Sequence, residues 1–173
     1  MNKKLIIFSL ITFLAAFSFL WLDYYLPKKT PAYITGSEVK RVDKDGPISA
    51  TNPADGPTRD VYYIYTRLEN GDVRVFRNED TAWHWPLYFK FDSADVQAKS
   101  QNWGNQNKEV LISAYGWRFN MFSMFPNIID IKVMDANPIK FSIIRILCLG
   151  LWFFSVCFAF FRTNRWLKVQ SHV

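Results

Sequence analysis

Cysteine, histidine and glycine are scarce in this chain of 173 residues, and each shortage closes off a class of chemistry. The two cysteines, Cys148 and Cys157, lie in one apolar run near the end. Nine residues of helix turn through about 900°, so the pair points to opposite faces and cannot bridge within it. The middle of the chain has no cysteine and must hold together by burial alone. It has one histidine, His84, whereas a structural or catalytic metal site wants several His or Cys ligands at fixed spacing. Carboxylates at positions 79, 80, 92 and 95 do not follow a calcium loop. The seven glycines never gather into a phosphate-cradling loop. Ser93 and Ser123 lack the elbow that exposes a nucleophile. No metal and no cofactor are expected.

Acidic residues are missing from both ends. All 15 fall between Asp23 and Lys140, a stretch that also holds 15 Lys or Arg and is formally neutral. The net charge of +6 therefore comes from Lys3, Lys4, Arg145, Arg162, Arg165 and Lys168, which flank apolar runs. Binding to nucleic acid wants a basic face on a folded domain, and this pattern excludes it.

The runs themselves are long. Leu5 to Leu22 carries 18 residues without a charge. As a helix it covers roughly 27 Å, close to the ~30 Å hydrocarbon core of a bilayer. Its hydroxyls, on Ser9, Thr12 and Ser18, can bond back to the preceding turn, and Trp21, Tyr24 and Tyr25 follow where amphipathic rings favour the interface. Lys3 and Lys4 would also suit a signal peptide, but the run exceeds the usual apolar region and no Ala-x-Ala site follows. The second run, Ile146 to Phe161, is extended by Phe141 to Ile144 across Arg145, whose long stem can snorkel from the outer end. A helix apolar all round has no cover in a small domain, so a buried core helix is rejected. Thr12/Ala16 and Ser155/Ala159 give small-xxx-small pairs that would let two spans pack closely. With the cationic surplus at their far ends, both termini are expected in the cytoplasm. The expected division is a cytoplasmic tail (1–4), a transmembrane helix (5–26), an outer β-rich domain (27–140), a second transmembrane helix (141–161) and a cytoplasmic tail (162–173). The fold class is thus a membrane protein of α+β type, with the lipid bilayer as a partner.

In the middle, Val61 to Glu69 and Asp72 to Arg77 alternate β-formers around Asn70-Gly71, which predicts a type I′ hairpin. That register sets Leu68 opposite Val73, Thr66 opposite Val75, Tyr65 opposite Phe76, and Arg67 opposite Arg74. A like-charge pair of this kind either splays into water or makes a site for an anion or acidic partner. Further strands are predicted at Tyr33 to Val42, Leu87 to Phe91, Val110 to Trp117 and Ile128 to Met134. Lys44 to Thr58, with Pro47, Pro53 and Pro57, reads as a surface loop. A short helix is predicted from Ser93 to about Asn102, N-capped by Asp92, with Val96, Ser100 and Trp103 on one face. The domain is expected to be mainly antiparallel β with this one helix packed on it.

Candidate chemistry concentrates in Asn78 to Asp92, which holds Glu79, Asp80, His84, Trp83, Trp85 and Tyr88. The default reading is that the rings fill the core of a cysteine-free domain. One alternative is a small-molecule or glycan groove, with rings stacking on a ligand and the polar groups orienting it. Another is an edge that skims the membrane or meets an envelope protein. An acid–base role for Asp80, His84 and Glu79 would make the chain a hydrolase-like envelope enzyme. A second cluster, Tyr115 to Asn127, puts Met121 and Met124 among aromatics, with Gly116 at a bend. It reads as core or membrane-proximal packing, or as an apolar docking surface.

Five segments carry a family resemblance: Arg59-Asp60-Val61, Val75 to Thr81, Tyr88 to Asp95, Tyr115 to Arg118, and Phe122 to Asn127. Through them the chain resembles the bacterial family named domain of unknown function fifteen twenty-three, from the first span to about Met134. The resemblance implies a bacterial inner-membrane protein with a periplasmic or outward-facing domain, and brings no activity or site residues. The expected role is a non-catalytic binding or assembly module of the cell envelope.

Overall fold

A computed structural model of the chain describes residues 3–43, 46–135 and 138–170. In chain order its elements are α1 (Lys3–Tyr25), β1 (Lys28–Asp43), β2 (Gly46–Pro47), β3 (Arg59–Leu68), β4 (Val73–Asn78), α2 (Ser93–Asn105), β5 (Glu109–Tyr115), β6 (Asn127–Val133) and α3 (Ile143–Gln170). They form two units, Met1–Leu26 with Ile143–Val173, and Pro27–Ser142.

The first unit is the helix pair α1 and α3, and both helices are long and apolar enough to cross a membrane. Their partly buried residues recur at helical spacing: Ile11, Ala15, Ser18 and Leu22 on α1, and Arg145, Trp152, Val156 and Phe160 on α3. Phe8 stacks on Phe160 with centroids 5.7 Å apart, and Trp152 Nε1 donates to Ser18 Oγ at 3.0 Å. The contact therefore sets large rings of α3 against a mixed face of α1. Thr12, Ala16, Ser155 and Ala159 face outward, which corrects the expected small-residue seam. Thr12 and Ser155 do bond back to Phe8 O (2.9 Å) and Leu151 O (2.8 Å). Arg145 does not stand alone: it pairs with the Asp23 carboxylate and donates to Leu26 O at 3.2 Å, at the C-terminal end of α1, where carbonyls welcome a cation. Helix α3 also continues past residue 161 through Arg162, Arg165 and Lys168.

The second unit is a barrel. Strand β1 is long enough to serve two neighbours, pairing Lys28–Tyr33 with β5 and Ala32–Val42 with β3, with a register shift between Ile34 and Gly36 where it bends. The order β1-β3-β4-β6-β5 then closes on β1, and the short β2 hangs on the outside of β1. All pairings are antiparallel except β4 with β6, at Arg77↔Asn127. With the helix lying between its third and fourth barrel strands, this is the five-stranded Greek-key pattern of OB-type barrels, joined between β4 and β6 at one residue pair. Ile34, Ile64, Phe76, Val110, Ile112 and Ile128 fill the interior, and α2 lays Val96 and Ser100 against it. Val96, Ser100 and a partly buried Trp103 share a face as expected. A Cβ on Gly104 would come within 3.2 Å of Ile34 Cγ2, so glycine lets the helix approach β1 closely.

Three expectations need correction. The hairpin pairs Arg67 with Val73, Thr66 with Arg74, Tyr65 with Val75 and Ile64 with Phe76, one residue out of the type I′ register. A type I′ turn needs φ > 0 at both central residues; Gly71 has φ 87, but Asn70 is not left-handed. Leu68 N donates to Asp72 O (2.8 Å) and Gly71 N to Leu68 O (2.9 Å), closing a three-residue loop. Asn70 Oδ1 accepts from Asp72 N at 3.1 Å and holds that loop. The Arg67–Arg74 pair is consequently not formed, and Arg67 lies over the Tyr33 ring, 5.7 Å from its centroid. Residues 87–91 are not a strand, and their faces are inverted: Leu87, Phe89 and Phe91 are exposed while Lys90 is buried. Helix α2 runs on to Asn105, and Asp92 sits at its N-cap without a side-chain bond, because Asp80 takes that role. Of the loop expected at 44–58, residues 44–45 lie outside the described residues. The rest is largely exposed beyond β2.

Candidate binding site

Strand β4 ends at Asn78, and the chain then makes a closed excursion before α2. Thr81 and Lys90 tie its ends, with Ala82 N donating to Lys90 O (2.9 Å) and Lys90 N to Thr81 Oγ1 (3.2 Å). Inside the excursion His84 N donates to Thr81 O at 2.9 Å, and the Trp85–Pro86 bond is cis. Ala82 and Phe89 have φ of 47° and 50°, a left-handed conformation that costs a non-glycine residue about 1–2 kcal/mol. Such strain persists only where surrounding structure imposes it.

Lys90 is the anchor. Only 4% exposed, its ammonium donates to Asn78 Oδ1 and to Ile128 O (2.9 Å), while Asn78 Nδ2 donates to Ser93 O (2.8 Å). Burial pushes its pKa down to about 8, and the nearby carboxylates of Asp92, Asp80, Glu79 and Asp130 only partly oppose that.

A polar cleft of about 340 Å³ opens beside this anchor, lined by Arg59, Arg77, Glu79, Asp80, Thr81, His84, Trp85, Tyr115 and Asn127. The single parallel pairing creates it, by setting the end of β4 against the start of β6. Asn127 clamps the two: its Oδ1 accepts from Glu79 N (2.8 Å), and its Nδ2 donates to Glu79 O (3.1 Å) and Tyr115 Oη (3.3 Å). Tyr88 stacks on Tyr115 with centroids 5.3 Å apart.

Both carboxylates already have partners. Glu79 is mostly buried and sits 2.7 Å from Arg77 Nε and 3.5 Å from Arg59 Nη2. Asp80 accepts from Ser93 N and Ser93 Oγ, each at 2.9 Å, and so caps α2. His84 lines the same cleft without a hydrogen bond to either. The three candidate acid–base residues are brought together, but as ion pair, helix cap and free imidazole.

The expected filling of the core by indole rings is overturned. Trp83 is 75% and Trp85 55% exposed. Trp83 packs edge-on against Phe89 and Phe91, both at 5.5 Å, to make one aromatic knob on the surface of the loop. Arg67 and Arg74 belong to the hairpin and do not line the cleft. Sequence reasoning missed Arg59, Arg77, Tyr115 and Asn127 as parts of the site. The signal was there: these four, with Glu79, Asp80 and Thr81, all fall in the segments that carry the family resemblance. His84 and Trp85 do not.

Fold and cleft together define a small closed barrel with a polar pocket, joined in one chain to a pair of long apolar helices. The chain belongs to the family described as "Protein of unknown function (DUF1523)", whose model matches residues 2–167. It is 46% identical over 160 residues to a protein of Haemophilus influenzae described as "Uncharacterized protein", covering 90% of this chain and 92% of that one. A mutant homopentamer of Salmonella typhi PltB gives a TM-score of 0.39 at 12% identity, covering 64% of this chain and 86% of its own.

Proposed function

We propose that the chain is a two-span protein of the bacterial inner membrane, with both termini in the cytoplasm and the barrel on the outer side. In this reading the barrel is a non-catalytic binding or assembly module of the cell envelope. One observation carries it: residues from four scattered resemblance segments, Arg59, then Arg77 with Glu79, Asp80 and Thr81, then Tyr115, then Asn127, converge on a single cleft. The two apolar helices support the anchoring, and the acid-free, cationic ends of the chain support the orientation.

Guanidinium, carboxylate, amide and phenol groups beside an exposed indole suit a small polar molecule or glycan, or a polar side chain presented by an envelope protein. The aromatic knob of Trp83, Phe89 and Phe91, on the same loop as His84 and Trp85, offers such a partner a further apolar surface. An acid–base reading needs a carboxylate free to work with His84, and Glu79 and Asp80 are both engaged elsewhere. Binding is therefore favoured over turnover.

The test places a photo-crosslinking amino acid at position 85 of the full chain in its native membrane. An adduct, or a thermal shift with an envelope saccharide, is expected in the parent and lost in Arg59→Ala, whose largely exposed side chain should leave the fold intact. Adducts and shifts that persist in Arg59→Ala and Arg77→Ala would remove the cleft from the reading. A reporter fused after Val173 that works only outside the cell would remove the orientation.

A further inference from the structure

The segment between β5 and β6 is built as a finger. Gly116 turns the chain out with φ 97. Phe119 and Met124 then pair as a bridge, with Phe119 N donating to Met124 O (3.3 Å) and Met124 N to Phe119 O (3.0 Å). Ser123 N donates to Asn120 O at 3.2 Å and closes the tip, and Ser123 is left-handed with φ 48. At the base, Arg118 lies over the Phe125 ring at 4.2 Å and donates to Met124 O at 2.9 Å, while Phe125 rests edge-on against Tyr63 of β3. The finger is thus braced against the barrel. What it holds out is apolar: Met121 is 87% and Phe122 68% exposed, with Phe119 behind them.

We infer that this finger inserts its Met121–Phe122 tip into the interfacial layer of a lipid bilayer. Charge is the first ground. From Tyr115 to Asn127 there is no acidic residue in a unit that is otherwise rich in them, and the only ionic side chain is Arg118. An anionic membrane surface would accept that composition. Size is the second. Three side chains expose roughly 400 Å², about half of what each partner in a standard protein interface contributes, but enough to anchor in lipid. The third is backbone chemistry, since the cross-finger hydrogen bonds leave fewer polar groups to strand in a medium that cannot satisfy them. The fourth is availability: the unit that bears the finger is bounded along the chain by α1 and α3.

The inference rests on the membrane-spanning reading, so its test must separate the two. The full chain is reconstituted in phosphatidylethanolamine–phosphatidylglycerol vesicles containing nitroxide lipids, with the nitroxide either near the headgroup or deep in the acyl chain. A fluorophore is attached at native Cys157 in a Cys148→Ala background. In a background lacking both cysteines it is attached through Met121→Cys or, on an exposed face of α2, through Lys99→Cys. The Met121→Cys label should be quenched several-fold more by shallow than by deep nitroxide, the Lys99→Cys label by neither, and the Cys157 label by the deep one. A quenched Cys157 label with an unquenched Met121→Cys label overturns the finger and leaves the spans standing. Equal quenching at 121 and 99 overturns it too, as does shielding at 121 that appears only in native membranes and so reports a protein partner. An unquenched Cys157 label overturns both readings.

Discussion

Lys90 offers the sharpest quantitative test of how the barrel is put together. In the folded unit burial lowers its pKa to about 8, from 10.5 in the unfolded chain. Between those values the unfolded chain holds the extra proton, so stability must rise with pH across that window. The Lys90 contribution is fully present above 10.5 and lost as pH falls through about 8. Complete relief would be worth about 3 kcal/mol, at 1.36 kcal/mol per decade of proton affinity. Between pH 7 and pH 9.5 about 2 kcal/mol of it should appear. Lys90→Met keeps most of the stem but has nothing to titrate. Urea unfolding of the full chain in detergent, followed by near-ultraviolet circular dichroism, should show the parent midpoint rising by about 1 M across that range relative to the variant. The comparison cancels the other titrating groups. Parallel pH profiles for parent and variant would refute the claim that a charged ammonium is buried between Asn78 and Ile128.

Other positions give simpler expectations. Asp80→Ala removes both acceptors from Ser93 and should cost about 1–2 kcal/mol, with faster hydrogen exchange confined to the first turn of α2. Gly71→Ala meets no atom within 4 Å, so its cost comes from φ alone, about 1 kcal/mol in urea unfolding. A larger loss there would mean the loop closes differently. Trp83→Ala, at 75% exposure, should change stability by about 1 kcal/mol or less while weakening partner crosslinking at the knob.

The two long helices were legible because nothing but composition is needed to see them: long, nearly uncharged apolar runs form helices long enough to cross a membrane. The barrel strands were legible from alternation, and the helix start from the polar residues around Asp92. Register was not, because it turned on whether Asn70 takes a left-handed conformation, and Asn-Gly permits more than one hairpin loop. Residues 87–91 failed for a related reason. Period-2 alternation says which side chains share a face, not which face is inside. Here Thr81 and Lys90 close the loop, and the burial of Lys90 forces Phe89 and Phe91 outward. Glu79 and Asp80 could be seen as polar residues beside a histidine, yet their partners, Arg59 and Ser93, come from opposite sides of them along the chain. The β3–β4 hairpin brings Arg59 to Glu79 and the turn back into α2 brings Ser93 to Asp80, while Tyr115 and Asn127 reach them only through the β4–β6 pairing. A cleft made by one parallel contact in an otherwise antiparallel sheet leaves no periodic trace in sequence. What it leaves instead is short polar motifs at strand ends, and these are where the family resemblance is concentrated.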